Sequence, residues 1–212
     1  GDRIDFCVPT GNFGDILAGW YAKQMGLPVR KLICASNKNR VLTDFFETGV
    51  YDRKREFYTT ISPSMDILVS SNLERLLYML AGEEKVKLWM EQLKTTGKYD
   101  VGPNVLAKLR ADFDCGCADD DEAKAAISGL YKEKDYLMDT HTADAFAVLE
   151  KRRAAGERFP TVVVSTASPF KFCDAVLSAL GEQDAVSGAA LIDRLSEKTG
   201  RPAPKPLAGL GS

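Results

Sequence analysis

Near the start of the chain an apolar run from Ile4 to Val8 is bounded by turn residues, the pattern of a buried strand. From Asp15 to Met25 the apolar positions change to helical spacing, at Ile16, Leu17, Trp20, Tyr21 and Ala22. Gly26-Leu27-Pro28 stops that helix, and Arg30 to Ala35 reads as a second buried strand. Strand, glycine turn, helix and strand in this order predict a βαβ unit and therefore a parallel sheet.

The alternation continues. Asn37 is placed to cap a helix from about Arg40 to Glu47, and Glu56 to Thr60 has the composition of a strand before the turn at Ser62-Pro63. Leu73–Leu80, Glu83–Leu93, Val105–Ala111 and 120–134 then read as helices, the last led by Asp119 to Glu122 in accord with the helix dipole. Thr142 to Arg153 predicts a further helix, Thr161 to Val164 a β-branched buried strand, and Pro169 the start of another helix. The expected fold is α/β and three-layered, a mainly parallel sheet flanked by helices, with a helical middle segment. Residues 1–200 are expected to act as one domain portion. The Arg-Pro-Ala-Pro-Lys-Pro run and the Gly-Leu-Gly-Ser end predict a mobile tail over 201–212.

Composition narrows the function. With 28 Lys and Arg against 30 Asp and Glu, the net charge of −2 provides no general field toward nucleic acid or anionic lipid, so neither is expected as a partner. No run approaches the ~20 apolar residues of a membrane span, and a cytoplasmic location is expected. Five cysteines, three of them in or beside apolar runs, argue for reduced thiols. Cys115-Gly116-Cys117 lacks a second ligand pair at zinc spacing, so no metal is expected. Arg53-Lys54-Arg55 reads as solvated surface. His141 is the only histidine; without a nucleophile motif beside it, local capping and packing by Thr140 to Thr142 is the expected role of its segment.

The chemistry is concentrated in Thr10-Gly11-Asn12-Phe13-Gly14-Asp15, which joins the first strand to the first helix. Backbone N–H groups and the positive end of a helix dipole meet there, an arrangement that suits phosphate, and Gly11 and Gly14 permit close approach of a ligand. Asn12 adds a side-chain amide donor. The spacing fits neither a Walker loop nor a dinucleotide fingerprint, and on physical grounds alone the turn either binds an anion or simply reverses the chain.

The string Val8-Pro9-Thr10-Gly11-Asn12-Phe13-Gly14-Asp15 resembles the pyridoxal-phosphate (PLP) phosphate loop of threonine synthases. Ala35-Ser36-Asn37-Lys38-Asn39 and Ser62-Pro63-Ser64-Met65-Asp66-Ile67-Leu68-Val69-Ser70-Ser71-Asn72 resemble the same family in the same order. Asp139-Thr140-His141-Thr142-Ala143 and Ser165-Thr166-Ala167-Ser168-Pro169-Phe170-Lys171-Phe172 are similar to its D-P-H-T-A and S-T-A-H-P-x-K-F patterns, with Thr140 where proline is usual and Ser168 where histidine is usual. The resemblance implies the C-terminal portion of a fold-type-II PLP enzyme that converts O-phospho-L-homoserine and water to L-threonine and phosphate. It implies a cofactor site at Gly11, Asn12, Phe13, Gly14, Asp15 and Thr166, the Thr166 hydroxyl lying near the pyridine nitrogen.

The family's cofactor-binding lysine sits in a Ser-Phe-Lys-Asp type motif upstream of the phosphate loop, and no such motif occurs in this sequence. No catalytic residue is therefore assigned, Lys171 is not expected to substitute, and the chain alone is expected to be inactive. Apolar area on an incomplete sheet is expected to favour a homo-oligomer. The rival readings are a non-catalytic phosphate-binding remnant and another fold-type-II lyase such as a dehydratase; both would keep the Gly11–Asp15 loop.

Overall fold

A computed structural model describes residues 3–182 and 187–208. In chain order the elements are β1 (Ile4–Pro9), α1 (Gly14–Gln24), β2 (Val29–Ser36), α2 (Val41–Thr48), β3 (Val50–Asp52), α3 (Leu73–Ala81), α4 (Glu83–Thr95), β4 (Lys98–Asp100) and α5 (Gly102–Asp112). They continue as β5 (Phe113–Cys117), α6 (Asp120–Lys134), α7 (Thr140–Ala154), β6 (Thr161–Val163), α8 (Cys173–Ala179) and α9 (Ala190–Thr199). Four strands form a parallel sheet in the order β5-β2-β1-β6, while β3 and β4 make a small antiparallel pair.

Alternation along the strands divides the core into two layers, because successive strand side chains point to opposite faces. Val8, Leu32 and Cys34 pack with α1, α2 and α5, whereas Cys7, Ile33 and Ala35 pack with Ala145 and Val148 of α7. The result is the expected three-layer α/β arrangement. Buried Asp5 of β1 pins the register by accepting from Arg30 Nε at 2.9 Å and from the Lys31 N–H at 3.0 Å. Cys7, Cys34 and Cys173 are free and buried, and burial pushes the Cys7 thiol up to about 12, so it stays protonated and acts as a small apolar residue.

Several local expectations change. Glu56 to Thr60 is not a strand: Tyr58 and Thr60 have no strand neighbour. Side chains serve that segment's backbone instead, Asn39 accepting from Tyr58 N–H and donating to Tyr58 C=O, and Asp66 accepting from Thr60 N–H. Asn37 does not cap α2; its side-chain amide is buried and donates to Thr60, Ser62 and Asp66. Thr161 to Val163 is an edge strand, and Val162 is exposed. Asp139 caps α7 by accepting from the N–H groups of His141 and Thr142, so neither Thr140 nor Thr142 fills that role. α6 begins with a reciprocal capping box between Asp119 and Glu122.

Of the segment 201–212, residues 201–204 have no regular structure and 205–208 form a turn, with the Arg201 guanidinium over the Tyr131 ring and Leu207 against the α6–α8–α9 cluster, and 209–212 lie outside the described residues. Among the described residues no helix is long and apolar enough to cross a membrane, and no group of three His, Cys, Asp or Glu side chains is arranged to hold a metal.

Candidate functional site

The C-terminal ends of parallel strands leave a crevice, the usual ligand position of open α/β sheets. Here a cleft of about 290 Å³ is lined by the β1–α1 loop from Pro9 to Asp15, by Ser64 and Met65, by His141, and by Thr166, Ala167, Lys171 and Phe172. This volume lies at the lower edge of the roughly 300–1,000 Å³ typical of small-molecule sites. All six residues expected to contact the cofactor, Gly11, Asn12, Phe13, Gly14, Asp15 and Thr166, line this one cleft. Ser64, Met65, His141 and Phe172 join them without having been assigned a binding role from sequence.

The loop is built around Phe13. Its backbone takes a left-handed conformation, φ 65°, unusual for a bulky residue, and its ring is 1% exposed, 6.1 Å from Phe46 and 5.8 Å from Phe113. Burial of the ring in the aromatic core over-determines a backbone angle that costs of order 1–3 kcal/mol. The turn then launches α1 with no side-chain cap. Among the described residues no hydrogen bond takes up the N–H groups of Gly14, Asp15 and Ile16. Three orphan donors thus lie at the positive end of an eleven-residue helix, a geometry that suits an anion.

The carbonyls of the loop are committed elsewhere. Ser70 Oγ donates to Gly11 C=O at 2.7 Å, and Asn72 donates to Asn12 C=O from its side chain at 2.7 Å and its backbone at 3.2 Å. Gly11 is buried against the Pro63–Met65 turn; a methyl group there would lie 2.9 Å from Ser64 O and 3.0 Å from Met65 Cα, so only glycine fits without displacing backbone. At Asp15 the backbone N–H suits an anion and the exposed carboxylate does not.

A polar network supports the far wall. Asn37 Nδ2 donates to Asp66 at 2.8 Å and Thr60 Oγ1 at 2.9 Å, Asn39 Nδ2 donates to Asp66 at 2.9 Å, and Ser62 Oγ donates to Asp144 at 2.5 Å. Burial holds the Asp144 carboxyl well above the usual range, with Asp120, Asp139 and Asp66 adding to that effect against the Ser62 hydrogen bond. Burial also pushes Asp139 up, but hydrogen bonds from His141 and Thr142 outweigh it and hold that carboxyl below its ordinary value. His141 is 3% exposed; its Nε2 accepts from Ser64 N–H at 3.1 Å and its Nδ1 meets Asp139 at 3.1 Å.

A family model described as threonine synthase, C-terminal, matches residues 142–205. Threonine synthase of Saccharomyces cerevisiae is 40% identical over 195 residues, covering 84% of this chain and 38% of the yeast protein. The crystal structure of the yeast threonine synthase superposes with a TM-score of 0.85 at 37% identity, over 99% of this chain and 42% of that one. This chain belongs to the threonine synthase family.

It corresponds to a C-terminal portion of such proteins. Threonine synthase-like 1 of Macaca fascicularis is 46% identical over 184 residues, 85% of this chain, and the chain spans 24% of that relative's length. The PLP-bound threonine synthase from Brucella melitensis superposes with a TM-score of 0.79 at 41% identity, over 92% of this chain and 41% of that one. Strings of the family that are distant in sequence converge in the cleft: Ser64 and His141 are in direct hydrogen-bond contact, and Ser70 and Asn72 hold the β1–α1 loop.

Proposed function

We propose that this chain supplies the phosphate-binding and ring-binding part of a PLP-dependent threonine synthase, a lyase acting on O-phospho-L-homoserine and water to give L-threonine and phosphate. The observation that carries the reading is the uncapped N-terminus of α1 facing the cleft, at the end of a loop seated by the close packing of Gly11 against Ser64 and Met65. When bound, PLP supplies an electron sink for carbanionic charge on an amino-acid substrate. The donor set suits its phosphate: N–H groups of Gly14, Asp15 and Ile16, with the Asn12 amide at the rim. Thr166, exposed to the same cleft, offers a neutral hydroxyl to the pyridine nitrogen.

These residues bind, orient and exclude water. The sequence holds no Ser-Phe-Lys-Asp motif, and without that nucleophilic lysine the chain alone binds the cofactor noncovalently and does not turn over substrate. The open edge of β6, with Val162 45% exposed and Phe159 47% exposed beside it, supports association with a further copy or further polypeptide. A cytoplasmic location is part of the same proposal. Residues 1–200 act as one portion of the catalytic domain, with 201–212 as its tail.

The test is a chimera in which residues 3–208 replace the matching region of the Brucella melitensis threonine synthase. The chimera is expected to release phosphate from O-phosphohomoserine and form threonine, and the chain alone to do neither. A folded chimera that forms no threonine, or that dehydrates threonine instead, contradicts the reading, as does turnover by the chain alone.

A further inference from the structure

We propose that His141 is a positioning residue of the phosphate cradle, fixing through Ser64 the wall against which Gly11 and its loop are seated. The inference rests on the phosphate-binding reading above and goes beyond it, since His141 belongs to neither the loop nor the helix that supplies the donors.

The Pro63–Met65 segment is a single 3-10 turn, in which Met65 N–H bonds to Ser62 C=O and Asp66 N–H to Pro63 C=O. Ser64 N–H, in the first turn, has no backbone partner there, and His141 Nε2 accepts it at 3.1 Å. A backbone N–H can only donate, so Nε2 must be the unprotonated nitrogen and the proton of the neutral ring sits on Nδ1. Nδ1 faces Asp139 Oδ1 at 3.1 Å, and that carboxylate is itself fixed by the His141 and Thr142 N–H groups and by the Thr142 hydroxyl. Asp139 thus sets both the tautomer and the direction of the imidazole.

The ring has no freedom left. It is buried, and the Phe172 ring, itself on the cleft wall, lies 4.7 Å away at 55°. Downstream the clearance is small: Ser64 O and Met65 Cα lie so close to Gly11 that a Cβ would stand 2.9 and 3.0 Å from them. A shift of the turn by a few tenths of an ångström therefore reaches the loop. Ser62 at one end of the turn is anchored on Asp144 and Asp66 at the other by Asn37, Asn39 and Thr60, while His141 holds the Ser64 N–H between them.

Inorganic phosphate is the probe, titrated into the chain while the amide NMR signals of residues 11–16 are followed. Two substitutions separate positioning from mere packing. His141→Gln places an acceptor oxygen near the position of Nε2 and retains the Ser64 bond, whereas His141→Asn keeps a donor toward Asp139 and loses Ser64. The expected result is phosphate affinity within about twofold of the parent for H141Q and weaker by about tenfold for H141N, with both variants losing similar thermal stability. Equal affinities for both variants, whether unchanged or weakened in parallel with stability, overturn the proposal.

Hydrogen exchange at Ser64 in the unmodified chain gives a second readout that needs no variant to fold. That amide is expected to be protected and to slow further with phosphate; an unprotected Ser64 amide overturns the proposal. If the unmodified chain shows no shifts at residues 11–16, the phosphate-binding reading itself fails and takes the inference with it. Failure confined to the H141N and H141Q comparison leaves that reading intact.

Discussion

Two regions hold the Gly11–Gly14 loop, and they do so by different physics. Below it lies an aromatic block in which Phe13, Phe45, Phe46, Tyr51, Trp89, Tyr99 and Phe113 are almost fully buried with ring centroids 5.2–6.1 Å apart. Beside it lies the polar network of Asn37, Asn39, Thr60, Ser62, Asp66, Asp139, His141 and Asp144, joined by side-chain hydrogen bonds between segments as much as 82 residues apart. Among the described residues no buried side-chain nitrogen or oxygen lacks a partner. Apolar burial is large and non-directional, so the aromatic block stabilises the fold; a satisfied polar network is directional, so it sets where the cleft wall stands.

The largest expected effect breaks the apolar side. Phe13→Ala empties the ring site between Phe46 and Phe113 while leaving the left-handed backbone angle to be held by nothing, and should cost about 3–5 kcal/mol in denaturant unfolding. A loss below 1 kcal/mol would show that the ring is not what holds the loop.

Gly11→Ala sharpens the contrast at the contact between loop and wall. Its Cβ meets backbone rather than a flexible side chain, so overpacking should cost about 1–3 kcal/mol. Binding of phosphate should fall by at least about tenfold, out of proportion to that cost. Unchanged binding in a calorimetric titration would mean that the wall does not shape the cradle.

The smallest effect separates charge from hydrogen bonding within the network. Asp144 has a carboxyl held well above its ordinary value by burial, so its favourable contribution is complete below about pH 4 and is lost as pH rises through the elevated value. Asp144→Asn keeps an acceptor for Ser62 without the charge. It should raise stability near neutral pH by about 1 kcal/mol, roughly 2–4 °C in Tm, with the gain shrinking toward pH 4. A destabilised variant at pH 7 with the same pH profile as the parent would refute this account of the charge. Asp139 runs in the opposite sense: its lowered value adds stability above the ordinary carboxylate range that is lost as pH falls through it.

The same contrast explains what could be read from the chain. β1, α1 and β2 were legible because each carries its own period and the glycines punctuate them. α6 was legible over Asp120–Lys134 because its acidic first turn marks the start. β5 was not: Phe113-Asp114-Cys115-Gly116-Cys117 has one large apolar residue, and its strand conformation is imposed by parallel pairing with β2. Glu56 to Thr60 carried aromatic and β-branched residues suited to a strand, yet the side chains of Asn39 and Asp66 took the place of a neighbour. In the site, the contiguous Thr10–Asp15 loop was legible as a strand-to-helix glycine turn, but its spacing left anion binding and a plain turn open, and only the family resemblance favoured a phosphate loop. The contact of Ser64 with His141, 77 positions apart, has no local signal, and only the shared family pattern placed both strings in one protein.

The central claim is that the β1–α1 turn is a phosphate cradle, and the most direct test compares pyridoxine 5′-phosphate with pyridoxine by calorimetric titration of the chain. Neither ligand has an aldehyde, so neither is trapped by surface lysines. The account predicts that the phosphorylated form binds with an affinity greater by at least about tenfold, and that Gly11→Ala removes the difference. Equal affinities for the two ligands, or a difference that survives Gly11→Ala, would contradict it.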